Sequence, residues 1–237
     1  MKTNYIFAVL IIVSLLAISC TEDDTIDELP IEGFVHVPDI NFEKILIEQG
    51  IDSDGVLNQQ VLKKDVYYVE YLNISYTDSL DAVEDLTGIE GFVKLKRLYA
   101  IGNRLKKIDV SSNNLLDTLH LMSNDLKSIK GLSKATNLKW MNLSHNLFDE
   151  FILDNTSVTN ILMSHNNLVS FDASKAVNLE SAFLLTNKIE TIDFSNNLKL
   201  EAVNVANNHL TNITLGQKKK LYYLSLFENF LSDLDVS

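Results

Sequence analysis

One short unit is written seven times between residues 95 and 234, and no other feature constrains the fold as strongly. In residues 116–129 it reads L-D-T-L-H-L-M-S-N-D-L-K-S-I. Three apolar positions lead to an Asn, and two more apolar positions follow it. The Asn recurs as Asn103, Asn124, Asn146, Asn166, Asn187, Asn208 and Asn229, at steps of 21, 22, 20, 21, 21 and 21 residues. Self-similarity at that period means one supersecondary unit stacked on copies of itself. Such a solenoid grows by addition and has no single central core. An apolar content of 46% suffices for its continuous layered interior.

The unit explains itself physically. Residues 98–100 predict a short strand in which Leu98 and Ala100 point inward and Tyr99 outward. Successive strands should stack in parallel about 4.8 Å apart. Beyond the strand the chain turns sharply, and its backbone groups lose their ladder partners. A buried Asn amide, with two donors and an acceptor, can satisfy them, so the seven Asn should form a structural ladder. The return side is short: eight residues from Ile108 to Leu116 and seven from Phe151 to Val158. That leaves no room for a full α-helix, and Ile-Asp-x-Ser or Phe-Asp-x-Ser runs recur there at 108–111, 171–174 and 192–195.

This pattern resembles the leucine-rich repeats of bacterial surface lipoproteins, an internalin-like and adhesin-like family. The resemblance implies an α/β leucine-rich-repeat solenoid. It would be curved, with its parallel sheet on the concave face and short turn, 3-10 or extended segments on the convex face. A small N-terminal helical cap would close one end. The V-P-D-x-x-F start at Val37 and the D-L-T-G-I-E run at Asp85 resemble the N-terminal region of the same proteins. The expected organisation is a lipoprotein signal over 1–19, a lipidated acidic tether over 20–33 and a helical cap over 34–68. An irregular first coil over 69–94 and seven regular repeats over 95–237 complete it.

Within the cap, Asp39 is a good N-cap and Phe42, Ile45 and Leu46 fall on one helical face. Gly50 is the expected stop. Asp52-Ser53-Asp54-Gly55 invites a calcium reading, but an EF-hand loop needs Gly at its sixth position and Glu at its twelfth. A solvated turn is the expectation instead. In the first coil, Leu72 and Ile74 mark the strand, and Asp81 stands where the repeat has Asn.

The N-terminus reads as an address. Lys2 precedes an apolar run from Ile6 to Ile18, which is too short for a simple span of roughly 20 residues. Leu16-Ala17-Ile18-Ser19-Cys20 then resembles a lipobox, although Ala17 departs from the commoner Leu; the alternative is a free thiol in a discarded signal. The resemblance implies an acylated Cys20, and two or more chains anchor a protein stably. Thr21-Glu22-Asp23-Asp24 resembles a surface-export signal and also suits a solvated tether. Together these predict a lipid-anchored protein of the bacterial outer membrane, exposed at the cell surface.

Three outward-facing columns follow from the alternation. The first is Arg97, Thr118, Trp140, Asn160, Ser181, Ala202 and Tyr223. The second is Tyr99, His120, Asn142, Leu162, Phe183, Asn204 and Ser225. The third is Ile101, Met122, Ser144, Ser164, Leu185, Ala206 and Phe227. Of these 21 positions only Arg97 carries a permanent charge, in a chain that is 22% charged, and 11 are apolar or aromatic. A solvated sheet face should be polar, and large exposed apolar patches mark interaction sites. The candidate ligand-binding residues are therefore Arg97, Tyr99, Ile101, His120, Met122, Trp140, Leu162, Phe183, Leu185, Tyr223 and Phe227. Strand propensity explains aromatics there equally well, but not the missing charge.

Net charge of −12 argues against nucleic acid and against anionic lipid surfaces. The single Cys excludes a disulfide framework within the chain. His145 and His165 should lie within about 5 Å on adjacent strands, yet no third metal ligand is in view. No catalytic constellation or phosphate-cradling loop is present. The reading is a non-enzymatic cell-surface adhesion lipoprotein without metal or cofactor, gripping a protein or glycan on its concave face. The alternative is an assembly subunit of an outer-membrane complex, its concave face permanently covered. The last coil, with Phe227, Phe230, Leu231 and Leu234, either covers its own edge as a monomer, which is preferred, or docks on a second copy.

Overall fold

The computed structural model describes residues 31–75 and 81–234. The expected signal, Cys20 and the tether up to residue 30 lie outside the described residues, as does the end of the chain at 235–237.

The cap consists of β1 (Phe34–His36), α1 (Ile40–Glu48), β2 (Gln60–Leu62) and α2 (Lys63–Tyr67). β1 and β2 pair antiparallel. Asp39 is the N-cap of α1, and its Oδ1 accepts the amides of Asn41 at 2.9 Å and Phe42 at 3.1 Å. Its Oδ2 accepts the amides of Glu84 at 2.7 Å and Asp85 at 2.9 Å. One carboxylate thus starts the helix and ties it to the first coil. Phe42 and Leu46 are fully buried, and the Phe42 ring stacks on Phe92 at 6.3 Å. The cap covers apolar residues of the first coil that would otherwise face water.

After β3 (Tyr71–Asn73) come six coils that each give a front strand and a back strand. These are β4 (Arg97–Tyr99) with β5 (Lys107–Asp109), β6 (Thr118–His120) with β7 (Ser128–Lys130), and β8 (Trp140–Asn142) with β9 (Glu150–Ile152). They continue with β10 (Asn160–Leu162) and β11 (Ser170–Asp172), β12 (Ser181–Phe183) and β13 (Thr191–Asp193), and β14 (Ala202–Asn204) and β15 (Asn212–Thr214). β16 (Tyr223–Ser225) ends the series. Eight front strands form one parallel sheet, in chain order from β3 to β16. Leu72, Leu98, Leu119, Met141, Ile161, Ala182 and Val203 share one inward register and are fully buried.

The Asn ladder is present and links neighbouring coils. Asn146 donates from Nδ2 to the Leu121 carbonyl at 2.9 Å and to the Leu143 carbonyl at 3.0 Å. Its Oδ1 accepts the Leu126 amide at 2.9 Å. Asn124, Asn166, Asn187, Asn208 and Asn229 repeat this arrangement, each joining its own turn to the one before. Asn103 donates to the Ile74 carbonyl and accepts the Val83 amide. Val83 therefore stands where later coils have Leu105 or Leu126, and Asp81 keeps the ladder register despite the longer loop. The residue before each ladder Asn is left-handed, from Gly102 at φ 74° through Ser123, His145, His165, Thr186 and Asn207 to Glu228 at φ 54°. That conformation costs roughly 1–2 kcal/mol in a non-glycine residue, and the ladder bonds beside it offset that cost.

The back is built on a longer period. Its strands pair only in twos: β5 with β7, β9 with β11, β13 with β15. At each break a second buried Asn takes over. Asn113 donates to the carbonyls of Ile89 and Phe92, Asn155 to Leu132 and Ala135, and Asn197 to Ala173 and Ala176. These Asn stand 42 residues apart, and the coils between them have Ala135 and Ala176 at the same position. Back segments are short strands and two 3-10 turns, Ile89–Gly91 and Leu132–Lys134, as the return length required. The front ladder is unbroken and the back ladder is not, so strand pairing runs through every coil on the front alone.

One expectation fails in the cap. Asp52-Ser53-Asp54-Gly55 is not a solvated turn throughout, since Asp52 is only 3% exposed. Glu43, on α1, is fully buried as well. Both carboxylates fold under the loop that joins α1 to β2, and periodicity carries no information about what a loop will cover.

Candidate functional site

The front face is set by strand register, and its columns are those read from the alternation. Arg97, Thr118, Trp140, Asn160, Ser181, Ala202 and Tyr223 are aligned across β4 to β16. So are Tyr99, His120, Asn142, Leu162, Phe183, Asn204 and Ser225. β3 adds Tyr71 and Asn73 to these columns.

Four aromatic rings form a row across the first four strands, stepping from the first column to the second and back. Tyr71 and Tyr99 are 5.5 Å apart between centroids, Tyr99 and His120 5.6 Å, and His120 and Trp140 5.1 Å. Tilted and edge-on contacts of this kind satisfy the ring quadrupoles. They also hold Tyr99, His120 and Trp140 half-buried, while Tyr71 at the row's end is 53% exposed. Tyr71 was missing from the sequence columns because its coil departs from the repeat. The alternation around Leu72 was the signal for it.

His120 anchors the row. The Asn142 side-chain nitrogen lies 3.1 Å from His120 Nε2. Burial holds the His120 pKa below its ordinary value, and opposite an amide nitrogen, which only donates, Nε2 is the acceptor. Asn142 in turn accepts the Ser144 amide through Oδ1 at 3.0 Å. Asn142 and Ser144 are consequently buried and form floor, not contact surface.

A second cluster lies toward β16. Phe183 and Tyr223 face one another at 6.3 Å and 21° across the strand that holds Ala202. Ala202 and Ala206 are buried there. Leu162 sits beside Phe183 in register, and Leu185 is half-buried nearby in sequence. Ile101 and Met122 are half-buried at the other end of the face. Four of the 21 outward positions, Asn142, Ser144, Ala202 and Ala206, thus lie beneath larger neighbours, and the candidate residues stand above them. Arg97 Nε is 3.9 Å from Asp117 Oδ1, so the one cation of the columns is partly neutralised by its neighbour.

Tyr223 and Phe227 belong to the last described coil and are 42% and 60% exposed. Phe230 and Leu234 are also exposed, and no described residue covers this edge.

His145 and His165 stack at 4.4 Å and 12° on the rim. Burial and the nearby His165 charge lower the His145 pKa, so the pair resists double protonation. Among the described residues no group of three or more His, Cys, Asp or Glu side chains could hold a metal ion. Among the described residues, recesses open on the back at the breaks between paired strands. They lie between the first coil and β5, between β7 and β9, and between β11 and β13.

An unbroken parallel front sheet, an Asn ladder and short back segments define a leucine-rich-repeat solenoid. Comparison with solved structures agrees. The functional domain of InlJ from Listeria monocytogenes superposes with a TM-score of 0.68 at 19% identity, over 87% of this chain and 50% of that one. The leucine-rich-repeat domain of APL1B gives 0.62 at 22% identity, over 70% and 52%. The leucine-rich-repeat protein LIC12759 of Leptospira interrogans gives 0.52 at 22%, over 73% and 52%. The chain spans about half the length of these structures. No family model matches the sequence, and no curated protein does.

Proposed function

We propose that this protein is a non-enzymatic binding module that takes a protein or glycan ligand on the front sheet. The observation that carries this reading is the front face itself. Over seven coils it presents aromatic and aliphatic side chains on a floor of small residues, with Arg97 as its one permanent charge. A chain with net charge −12 has put its charge elsewhere. Aromatic anchors are the side chains that dominate binding energy at interfaces. A solved leucine-rich-repeat neighbour, TLR13, is in complex with a single-stranded RNA, but the acidity of the present chain disfavours such a ligand.

In this reading Cys20 carries the lipid, and the acidic segment after it holds the solenoid away from the outer membrane, facing outward. Cys20→Ser should release the protein from the membrane fraction, and protease added to intact cells should remove the lipidated form.

Trp140 is the sole tryptophan of the chain and sits in the aromatic row, so its emission reports on the site directly. Binding of a glycan or protein from a defined panel should shift that emission. Trp140→Ser combined with Phe183→Ser should abolish capture with circular dichroism unchanged; capture that survives the pair removes the front face from the site. A second reading, an assembly subunit whose apolar face is always covered, is favoured by the same lack of charge. It requires one stoichiometric membrane partner to co-purify with the native protein.

A further inference from the structure

We propose that the N-terminal cap binds a calcium ion between α1 and the loop over residues 52–58, with Glu43 and Asp52 as its carboxylate ligands. Five buried side-chain oxygens have no hydrogen-bond partner of good geometry among the described residues, and three of them are Glu43 Oε2, Asp52 Oδ1 and Asp52 Oδ2; a weaker contact from the Asp54 backbone N–H reaches Asp52. Glu43 is fully buried and Asp52 is 3% exposed. Neither takes part in an ion pair among the described residues. Two carboxylates withdrawn from water without a counter-charge are strongly unfavourable, so a proton or a cation has to neutralise them.

The surroundings select the cation. Asp54 and Asp65 flank the site and add negative potential. Both also shape the loop. Asp54 accepts the Val56 amide at 2.8 Å and the Asn58 side chain at 3.0 Å. Asp65 Oδ2 accepts the Ser53 hydroxyl at 2.7 Å and its amide at 3.2 Å. Glu43 Oε1 holds the loop from inside, accepting the amides of Asn58 at 2.8 Å and Gln60 at 3.2 Å. Its second oxygen is left over.

Calcium accepts backbone carbonyls and water alongside carboxylates, in flexible geometry, whereas magnesium demands a near-ideal octahedron. Two carboxylates instead of three place the affinity in the weak class of extracellular modules, about 10⁻⁴–10⁻³ M. The ion would join α1 to the loop leading into β2, and so stiffen the cap that shields the first coil.

The test uses the full chain at neutral pH, in a chelator and then in about 5 mM calcium or magnesium. Calcium should raise the melting temperature by roughly 3–6 °C and magnesium by less. Calorimetric titration with calcium chloride should show one saturable site. Asp52→Asn, close to isosteric, should keep the fold and lose the response. No saturable calcium heat in the wild-type protein overturns the proposal, whatever the variants do. So does a calcium response that persists in both Asp52→Asn and Glu43→Gln. Stabilisation by acid alone, with no calcium response, assigns a proton to the site and equally overturns it.

Discussion

Replacing Asn146 by Leu tests whether the ladder is a set of separate bonds or a shared one. The Leu126 amide has Asn146 Oδ1 as its partner, and the replacement leaves that donor buried and unpaired. An orphaned donor costs about 1–3 kcal/mol. The carbonyls fare better. The Leu121 oxygen also accepts Asn124 Nδ2 at 3.1 Å, and the Leu143 oxygen also accepts Asn166 Nδ2 at 3.0 Å. Neither is orphaned by a single replacement, so their lost bonds add only about 1 kcal/mol to the orphaned donor, and Asn146→Leu should cost about 2–4 kcal/mol. That corresponds to a melting temperature lower by roughly 5–15 °C in a chain of this size. The double variant Asn124→Leu with Asn146→Leu removes both partners of the Leu121 carbonyl. It should exceed the sum of the singles by about 1–2 kcal/mol. Asn124→Leu with Asn187→Leu shares no acceptor and should be additive within about 0.5 kcal/mol. Chemical unfolding followed by circular dichroism measures all of these. Equal additivity in both doubles would refute the sharing of carbonyls between neighbouring coils.

With calcium chelated, the raised pKa of Asp52 makes its neutral form the better one in the folded state. Its contribution to stability is then complete below about pH 3.8 and disappears as pH rises through about 6. Asp52→Asn should therefore stabilise the chelated protein at neutral pH by roughly 1–3 kcal/mol and flatten this part of its pH–stability curve. Gly131 has φ +87°, and an added Cβ would collide with the Ser111 backbone nitrogen. Gly131→Ala should cost about 2–5 kcal/mol in denaturant unfolding. Gly55 also has positive φ but meets nothing within 4 Å; Gly55→Ala should cost only about 1–2 kcal/mol, so a comparable loss at both positions would contradict the steric argument. Asn155→Ala removes the donor to two carbonyls across a break in the back ladder. It should raise amide hydrogen exchange in β7 and β9 before it affects the front sheet.

Much of this fold was legible from residue order, because a solenoid is quasi-one-dimensional. Each coil touches its neighbours at a fixed offset, so a period of about 21 with apolar and Asn positions determines strand, turn and stacking order together. The outward columns followed from the same logic, since alternation along a strand decides facing before any packing does. The helix at Asp39 was equally local, a carboxylate aimed at its own first amides. The 42-residue period of Asn113, Asn155 and Asn197 was also present in the sequence, but a search for one repeat length passes over a doubled one. Other properties exist only once segments are brought together. That Asn142 lies under His120 depends on the rings that lean over it. That Tyr71 completes an aromatic row depends on β3 pairing with β4 across an irregular coil. Above all, Asp52 and Glu43 are ordinary acidic residues in sequence. They become buried, with carboxylate oxygens left over, through the closure of a loop over α1, because burial belongs to whatever the rest of the chain folds across a residue.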